Sequence, residues 1–280
     1  MSSPLPLSRT QIEKLGKRLV AGDRPDPDDL LLLNELQLAY REVLATTVER
    51  VAAVVPYKPT SRVKTQSTTL DKLRLNGGSW LSSIQDLGGM RLVGSFDRNG
   101  QDAVVGAIVD VFADADRAPK VVDRRERPSS GYRAVHVVVF PERVPIEVQV
   151  RTALQHEWAD LFEKLADFVG RGIRYGEPPE PFWRSIDDVV AAYPSVSGVD
   201  VQAEARRLWD VVEASRRTLV GFADTAATLI DRYELLHAKA PLVAQEHRKG
   251  VNESVAALRD AINRQVDLQS TIGIRPSSDG

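Results

Sequence analysis

A chain of 280 residues with 42% hydrophobic content can bury a large core, or a core with an appendage, which excludes an unfolded chain. A formal charge of −2 gives no global basic field, so any polyanion must be met by a local patch. The absence of cysteine removes disulfides, thiol nucleophiles and thiolate zinc sites, and no run approaches the roughly 20 uncharged apolar residues of a membrane span, so a soluble cytoplasmic protein with no membrane partner is expected.

In chain order, residues 8–19 read as a short helix, and Asp26-Pro27-Asp28-Asp29 supplies a cap and an acidic first turn for a long helix to about Val55, where Pro56 stops it. Residues 1–55 thus form a helical N-terminal segment expected to pack on a core at 56–175. Within that core, 91–96 and 134–140 are β-branched runs, and 145–152 alternates Ile146, Val148 and Val150 with Glu147, Gln149 and Arg151. Pro141-Glu142-Arg143-Val144 reads as a hairpin connection that makes the last two runs antiparallel neighbours, while 102–113 reads as a helix crossing back over the sheet. The predicted class is α/β (α+β), a mixed sheet flanked by helices.

Thr152-Ala153-Leu154-Gln155 suits a capping box opening a helix whose apolar stripe, Leu154, Trp158, Leu161, Leu165 and Phe168, ends near Gly170. A proline-rich stretch at 176–181 then leads to a helical C-terminal region, 182–271, with amphipathic segments at about 201–239 and 244–271. The tail 272–280 is expected to be disordered.

Arg62-Val63-Lys64 places two cations on one side of an extended segment, and Lys72 follows at the expected start of a helix, with Ser67, Thr68 and Thr69 between them. Such a set suits a triphosphate clamp, since ammonium and guanidinium donors satisfy phosphate oxygens; it equally suits a solvated charged loop. Asp86 precedes Gly88-Gly89 and a strand, where backbone approaches a ligand closely, although a turn or cap aspartate has the same neighbours. Glu147 shares one strand face with Gln149 and Arg151. Two carboxylates are enough for magnesium, which takes the rest of its shell from phosphate and water. Tyr132, Arg133 and His136 follow a flexible turn and bring an aromatic able to stack on a nucleobase, with groups able to meet phosphate; packing roles at the core edge fit Tyr132 and His136 as well. No Walker loop, HExxH helix or dinucleotide fingerprint is present, and the four histidines form no His-Asp doublet.

Taken in order, Arg62-Val63-Lys64 with Lys72, Asp86-x-x-Gly89-x-Arg91, Gly131-Tyr132-Arg133-x-x-His136, and Glu147-Val148-Gln149-Val150-Arg151-Thr152 followed by Trp158-Ala159 resemble the synthetase domain of the RelA/SpoT alarmone family, small synthetase type. The resemblance spans roughly residues 40–175. It implies a nucleotidyltransferase-like sheet that moves the β,γ-pyrophosphate of ATP to a ribose 3′-hydroxyl, that of GDP or GTP in making (p)ppGpp, with Mg2+ as cofactor. Arg62, Lys64, Lys72 and Arg91 would then grip ATP, with Thr68 at the family's serine position. Asp86 and Glu147 would hold the metal, and Glu147 would also take the hydroxyl proton. Tyr132 would stack on the acceptor base, while Arg133, His136, Gln149 and Arg151 would face the acceptor.

Three departures from the family pattern are visible. The stretch before Gly131 is shorter than the usual acceptor loop and has Ser129-Ser130 in place of a common lysine and asparagine, the serine of the first motif is replaced by Thr68 or displaced to Ser67, and Phe162-Glu163 replaces a Glu-His pair. The resemblance also leaves open a toxin-type synthetase acting on deacylated tRNA or adenine nucleotides and held by an antitoxin protein, the basic 117–133 region offering cations for tRNA. A catalytically silent binding domain is the third reading. The C-terminal helices suit either a homo-oligomer or antitoxin surface or a lid packed on the sheet.

Overall fold

The apolar stripe of the N-terminal helices and the alternation of the strands converge on one core. The computed structural model describes residues 4–126, 132–175, 177–180 and 200–272. The chain divides into two compact units, one of residues 1–124 and 134–153, the other of 125–133 and 154–280.

In the first unit, α1 (Arg9–Leu19) starts at Ser8, whose hydroxyl accepts from the Gln11 N–H while the Gln11 side chain returns to the Ser8 N–H. The long α2 (Pro27–Ala52) is capped by Asp26 with Pro27 in its first turn, as its sequence predicts. Arg18 on α1 grips buried Asp29 on α2 through Nε and Nη2, fixing the two helices together.

Five strands follow: β1 (Thr60–Val63), β2 (Gly88–Gly94), β3 (Lys120–Asp123), β4 (Val135–Val139) and β5 (Ile146–Thr152), in the spatial order β1-β2-β5-β4-β3. β2 and β5 are parallel at the centre, and every other pairing is antiparallel, so the sheet is mixed. Val144 and Ile146 are fully buried on either side of the short β4–β5 connection, which makes these strands antiparallel neighbours as expected. Between the strands lie α3 (Gln66–Asn76), a 3-10 turn at Gly78–Ser83, and α4 (Arg98–Val111).

Alternation divides the central strands into two faces. Met90 and Leu92 of β2 and Ile146, Val148 and Val150 of β5 are buried in one apolar cluster with Leu33, Leu36 and Tyr40 of α2 and Ile108 of α4. The opposite face carries Gly89, Arg91, Glu147, Gln149 and Arg151. α4 is tied to the sheet by buried Gln101, whose amide donates to the Val150 carbonyl at 2.8 Å.

The second unit contains α5 from Leu154 onward (Ala153–Val169 in full), α6 (Val201–Lys239) and α7 (Pro241–Ile272). Its own apolar cluster joins Trp158, Leu165 and Val169 of α5 to Leu219, Ala223 and Ile230 of α6 and Val255, Leu258 and Ile262 of α7. The alanines of α6 allow close helix approach.

Several boundaries differ from the sequence expectation. The N-terminal helices share the sheet's apolar cluster, while α5, expected with the 56–175 core, groups with the C-terminal helices because its stripe packs on α6 and α7. β3 was not predicted. α3 begins at Gln66, capped by Thr65, so Lys72 lies in its second half rather than at its start. The Gln155 amide donates to Glu234 at 2.8 Å, tying α5 to α6. The expected loop residues Ser129, Ser130 and Gly131, most of 176–199 and the tail beyond Ile272 fall outside the described residues.

Candidate active site

On the polar face of the sheet, Arg62, Lys64, Asp86, Arg91, Glu147 and Gln149 line one open cleft, together with Thr60, Ser61, Gly89 and Met90. The pairings bring them there. β1 is antiparallel to β2 with Arg62 opposite Gly89, and β5 runs parallel with Glu147 opposite Gly89 and Gln149 opposite Arg91. Gly89 has no side chain to stand between Arg62 and Glu147, so the cleft stays open over the middle of the sheet.

Asp86 sits at the entrance to β2 between two cations. Lys72 Nζ lies 2.7 and 2.9 Å from its two carboxylate oxygens, and Lys64 Nζ lies 3.1 Å from Oδ2. Burial pushes the Asp86 carboxyl up, but the hydrogen bond from Lys72 and the charges of both lysines outweigh it and hold the group below the ordinary carboxylate value.

Glu147 is countered differently. His136 Nδ1 lies 2.8 Å from Oε1, and the Gln149 amide donates to Oε2 at 2.8 Å, while Arg151 Nη2 donates to the Gln149 amide oxygen at 2.8 Å. The register explains the chain of contacts: His136 is paired with Gln149 across β4 and β5, which sets it diagonally beside Glu147. Burial raises the Glu147 carboxyl and the nearby Asp86 charge adds to that, yet the His136 contact and the Gln149 bond prevail and lower it. The two carboxylates therefore share a cleft and feel each other's charge.

Of the residues expected on the ATP side, Arg62, Lys64 and Arg91 line the cleft and Lys72 enters it through Asp86. Thr68 is exposed in the first turn of α3, where its hydroxyl bonds to the Thr65 carbonyl and meets the Thr65 hydroxyl. On the acceptor side, Gln149 lines the cleft, and His136 and Arg151 join it through Glu147 and Gln149. Tyr132 is half-buried and belongs to the second unit. Arg133, read from the sequence as an acceptor contact, is buried in the second unit, where Nε donates to Asp231 at 2.9 Å and Nη1 to the Ala227 carbonyl at 3.2 Å.

Sequence reading missed two supports. Gln37 is buried on the apolar face of α2 and donates to the Lys64 carbonyl at 2.8 Å, while the Lys64 N–H donates to the Leu87 carbonyl, so the backbone of this cation is held from both sides. A lone amide among Leu33, Leu36 and Tyr40 was the available signal, since a buried polar group needs a partner. Trp80 places its indole ring 5.2 Å from Lys72 Nζ.

Among the described residues no three His, Cys, Asp or Glu side chains gather as a metal cluster. Asp86 and Glu147 remain as a pair of oxygen donors, a set that suits a hard cation completing its shell with phosphate and water. Among the same residues no helix is long and apolar enough to cross a membrane.

Fold and site together define an α/β domain whose sheet carries two carboxylates and three cationic side chains in one cleft. Residues 61–166 match the family described as a region found in RelA / SpoT proteins. The uncharacterised proteins Rv1366 of Mycobacterium tuberculosis and Mb1401 of Mycobacterium bovis are each 37% identical to it over 179 residues, 62% of this chain. The chain spans 64% of the length of these curated relatives. Crystal structures of small alarmone synthetase 1 from Bacillus subtilis align with 18% identity. The first has a TM-score of 0.47 and covers 75% of this chain and 97% of its own; the form bound to its product pppGpp has a TM-score of 0.46, with 75% and 98% covered.

Proposed function

We propose that the chain is a pyrophosphotransferase that moves the β,γ-pyrophosphate of ATP to the ribose 3′-hydroxyl of GDP or GTP. The observation that carries this reading is the shared cleft of Asp86 and Glu147, lined by Arg62, Lys64 and Arg91, within the segment that matches the RelA/SpoT region. Phosphoryl-type transfer asks a protein chiefly for charge neutralisation, in-line positioning and one proton acceptor. The cleft offers each of these.

In the proposed step the acceptor's 3′-oxygen attacks the β-phosphorus of ATP. The bond from the β-phosphorus to the oxygen bridging it to the α-phosphorus breaks, and AMP leaves with that electron pair. Arg62, Lys64, Lys72 and Arg91 bind and orient the triphosphate, and Glu147 receives the hydroxyl proton. Its lowered pKa keeps it deprotonated at neutral pH, and the His136 and Gln149 contacts fix the direction of its oxygens. Asp86 and Glu147 would hold magnesium, which supplies screening of the phosphate charge. By the family resemblance, Tyr132 is the candidate for stacking on the acceptor base.

The test is transfer from terminally labelled ATP with magnesium, offering GDP, GTP, adenine nucleotides and deacylated tRNA in parallel. Label appearing in the guanine nucleotides is expected. Label in tRNA or adenine nucleotides alone would replace the acceptor assignment, and label in none would defeat the reading. Glu147→Gln retains the shape of the side chain and is expected to lower the rate by about 10²–10⁴-fold, the range of a lost general base, without changing the melting temperature by more than a few degrees.

A further inference from the structure

We propose that Trp80 is a positioning residue for the ATP phosphates, acting through Lys72, which its indole face holds on the cleft side of α3; this rests on the phosphotransfer reading above.

Lys72 is a compact charge on a long flexible stem, and its side chain is only partly covered, so the helix alone does not fix its ammonium. Two contacts do. One is the Asp86 carboxylate at 2.7 and 2.9 Å, and the other is the Trp80 ring at 5.2 Å, within the range over which an aromatic face attracts a cation.

These contacts respond differently when a triphosphate enters. Phosphate oxygens compete with the Asp86 carboxylate for the same ammonium hydrogens, so the first contact weakens as the donor binds. The ring offers no hydrogen-bond acceptor and approaches the ammonium as a face, so the second contact survives the exchange. It leaves Lys72 restrained while its hydrogen bonds pass from carboxylate to phosphate.

The ring is itself well placed for this task. Trp80 lies in the 3-10 turn Gly78–Ser83, which packs on α1 where Gly16 and Gly78 meet backbone to backbone. A Cβ added at either glycine would collide with the other's carbonyl, so the turn has one seating. The indole is half-buried against the sheet's apolar cluster, which fixes its plane.

A merely structural tryptophan is the competing account, and a double-mutant cycle separates the two. Binding of a non-hydrolysable ATP analogue with magnesium is measured by calorimetry in wild type, Trp80→Leu, Lys72→Met and the double variant, with KM for ATP and kcat measured alongside. Trp80→Leu is expected to weaken analogue binding about three- to tenfold, the size of one partly covered cation–π contact, and to raise KM for ATP more than it lowers kcat. In the Lys72→Met background the same change is expected to have no further effect. Trp80→Phe keeps a ring in place and should lose about threefold or less, which keeps the test open if the leucine variant does not fold. Equal weakening by Trp80→Leu with and without Lys72, or none in either, overturns the proposal, while turnover by the wild type upholds the phosphotransfer reading. Failure of the wild type to bind the analogue overturns both.

Discussion

Asp86 and Glu147 are kept ionised by different partners, and the difference is testable. Asp86 leans on two permanent cations, so its folded pKa lies below its unfolded value of about 3.9. A depressed carboxyl contributes stability that is present above the unfolded pKa and is lost as pH falls through the folded one. The urea midpoint of wild type should therefore drop more steeply below about pH 4 than that of Asp86→Asn. Parallel curves for the two proteins would remove Asp86 from the account of acid sensitivity. Gln149 has a different task, since its amide joins Glu147 to Arg151. Gln149→Leu takes the acceptor from one nitrogen of a buried guanidinium and a donor from Glu147. A loss of about 1–3 kcal/mol in denaturant unfolding is expected, together with reduced transfer, whereas Gln149→Glu keeps the Arg151 contact but sets a second carboxylate against Glu147. Stability unchanged in the leucine variant would show that Arg151 does not depend on that bond.

At the level of elements, the contact of α1 with the Gly78–Ser83 turn depends on two glycines that face each other without side chains. Gly78→Ala forces a methyl into backbone, and because neither neighbour is the tip of a flexible side chain, an overpacking cost of about 1–3 kcal/mol is expected in thermal or urea unfolding. A melting temperature equal to wild type would mean that α1 moves freely off the turn. Such a contact is invisible in sequence, because Gly16 sits inside a helical pattern and Gly77-Gly78 reads only as a break. What sequence did reveal was local: the cap and proline that start α2, the alternation that divides β5 into an apolar and a polar face, and the short link that folds β4 back on β5. β3 escaped because Lys120–Asp123 is a four-residue edge strand whose apolar signal is two valines, one exposed and one half-buried, lying among charges. The start of α3 was hidden by Ser67, Thr68 and Thr69, which favour caps and strands until Thr65 closes the first turn. The site was legible as far as same-strand spacing reaches, namely Arg62 with Lys64 and Glu147 with Gln149 and Arg151. The pairing of His136 with Glu147, the Gln37 support, the Trp80 contact and the bond from Arg133 to Asp231, 98 positions away, each require tertiary register.

At the scale of the molecule, two apolar clusters form without a shared residue, one around the sheet with α1, α2 and α4, the other among α5, α6 and α7. Each has its own large, fully buried side chains: Leu92 in the first and Leu165 in the second. Truncation of either to alanine removes buried methyl groups and leaves a cavity, at an expected cost of about 2–5 kcal/mol to the unit that contains it. Native-state hydrogen exchange reads where that cost falls, since amides open in cooperative groups that follow the packing. Leu92→Ala should lower protection of the β2 and β5 amides, and Leu165→Ala should lower protection along α5, α6 and α7. Transfer activity gives a second readout, because Asp86 and Glu147 stand on the first cluster and lose their footing when it opens. If Leu165→Ala lowers protection of β2 and β5 as much as that of α6, the chain unfolds as one cooperative body despite its two cores, and the cleft would then depend on the helical unit for its stability as well as on its own sheet.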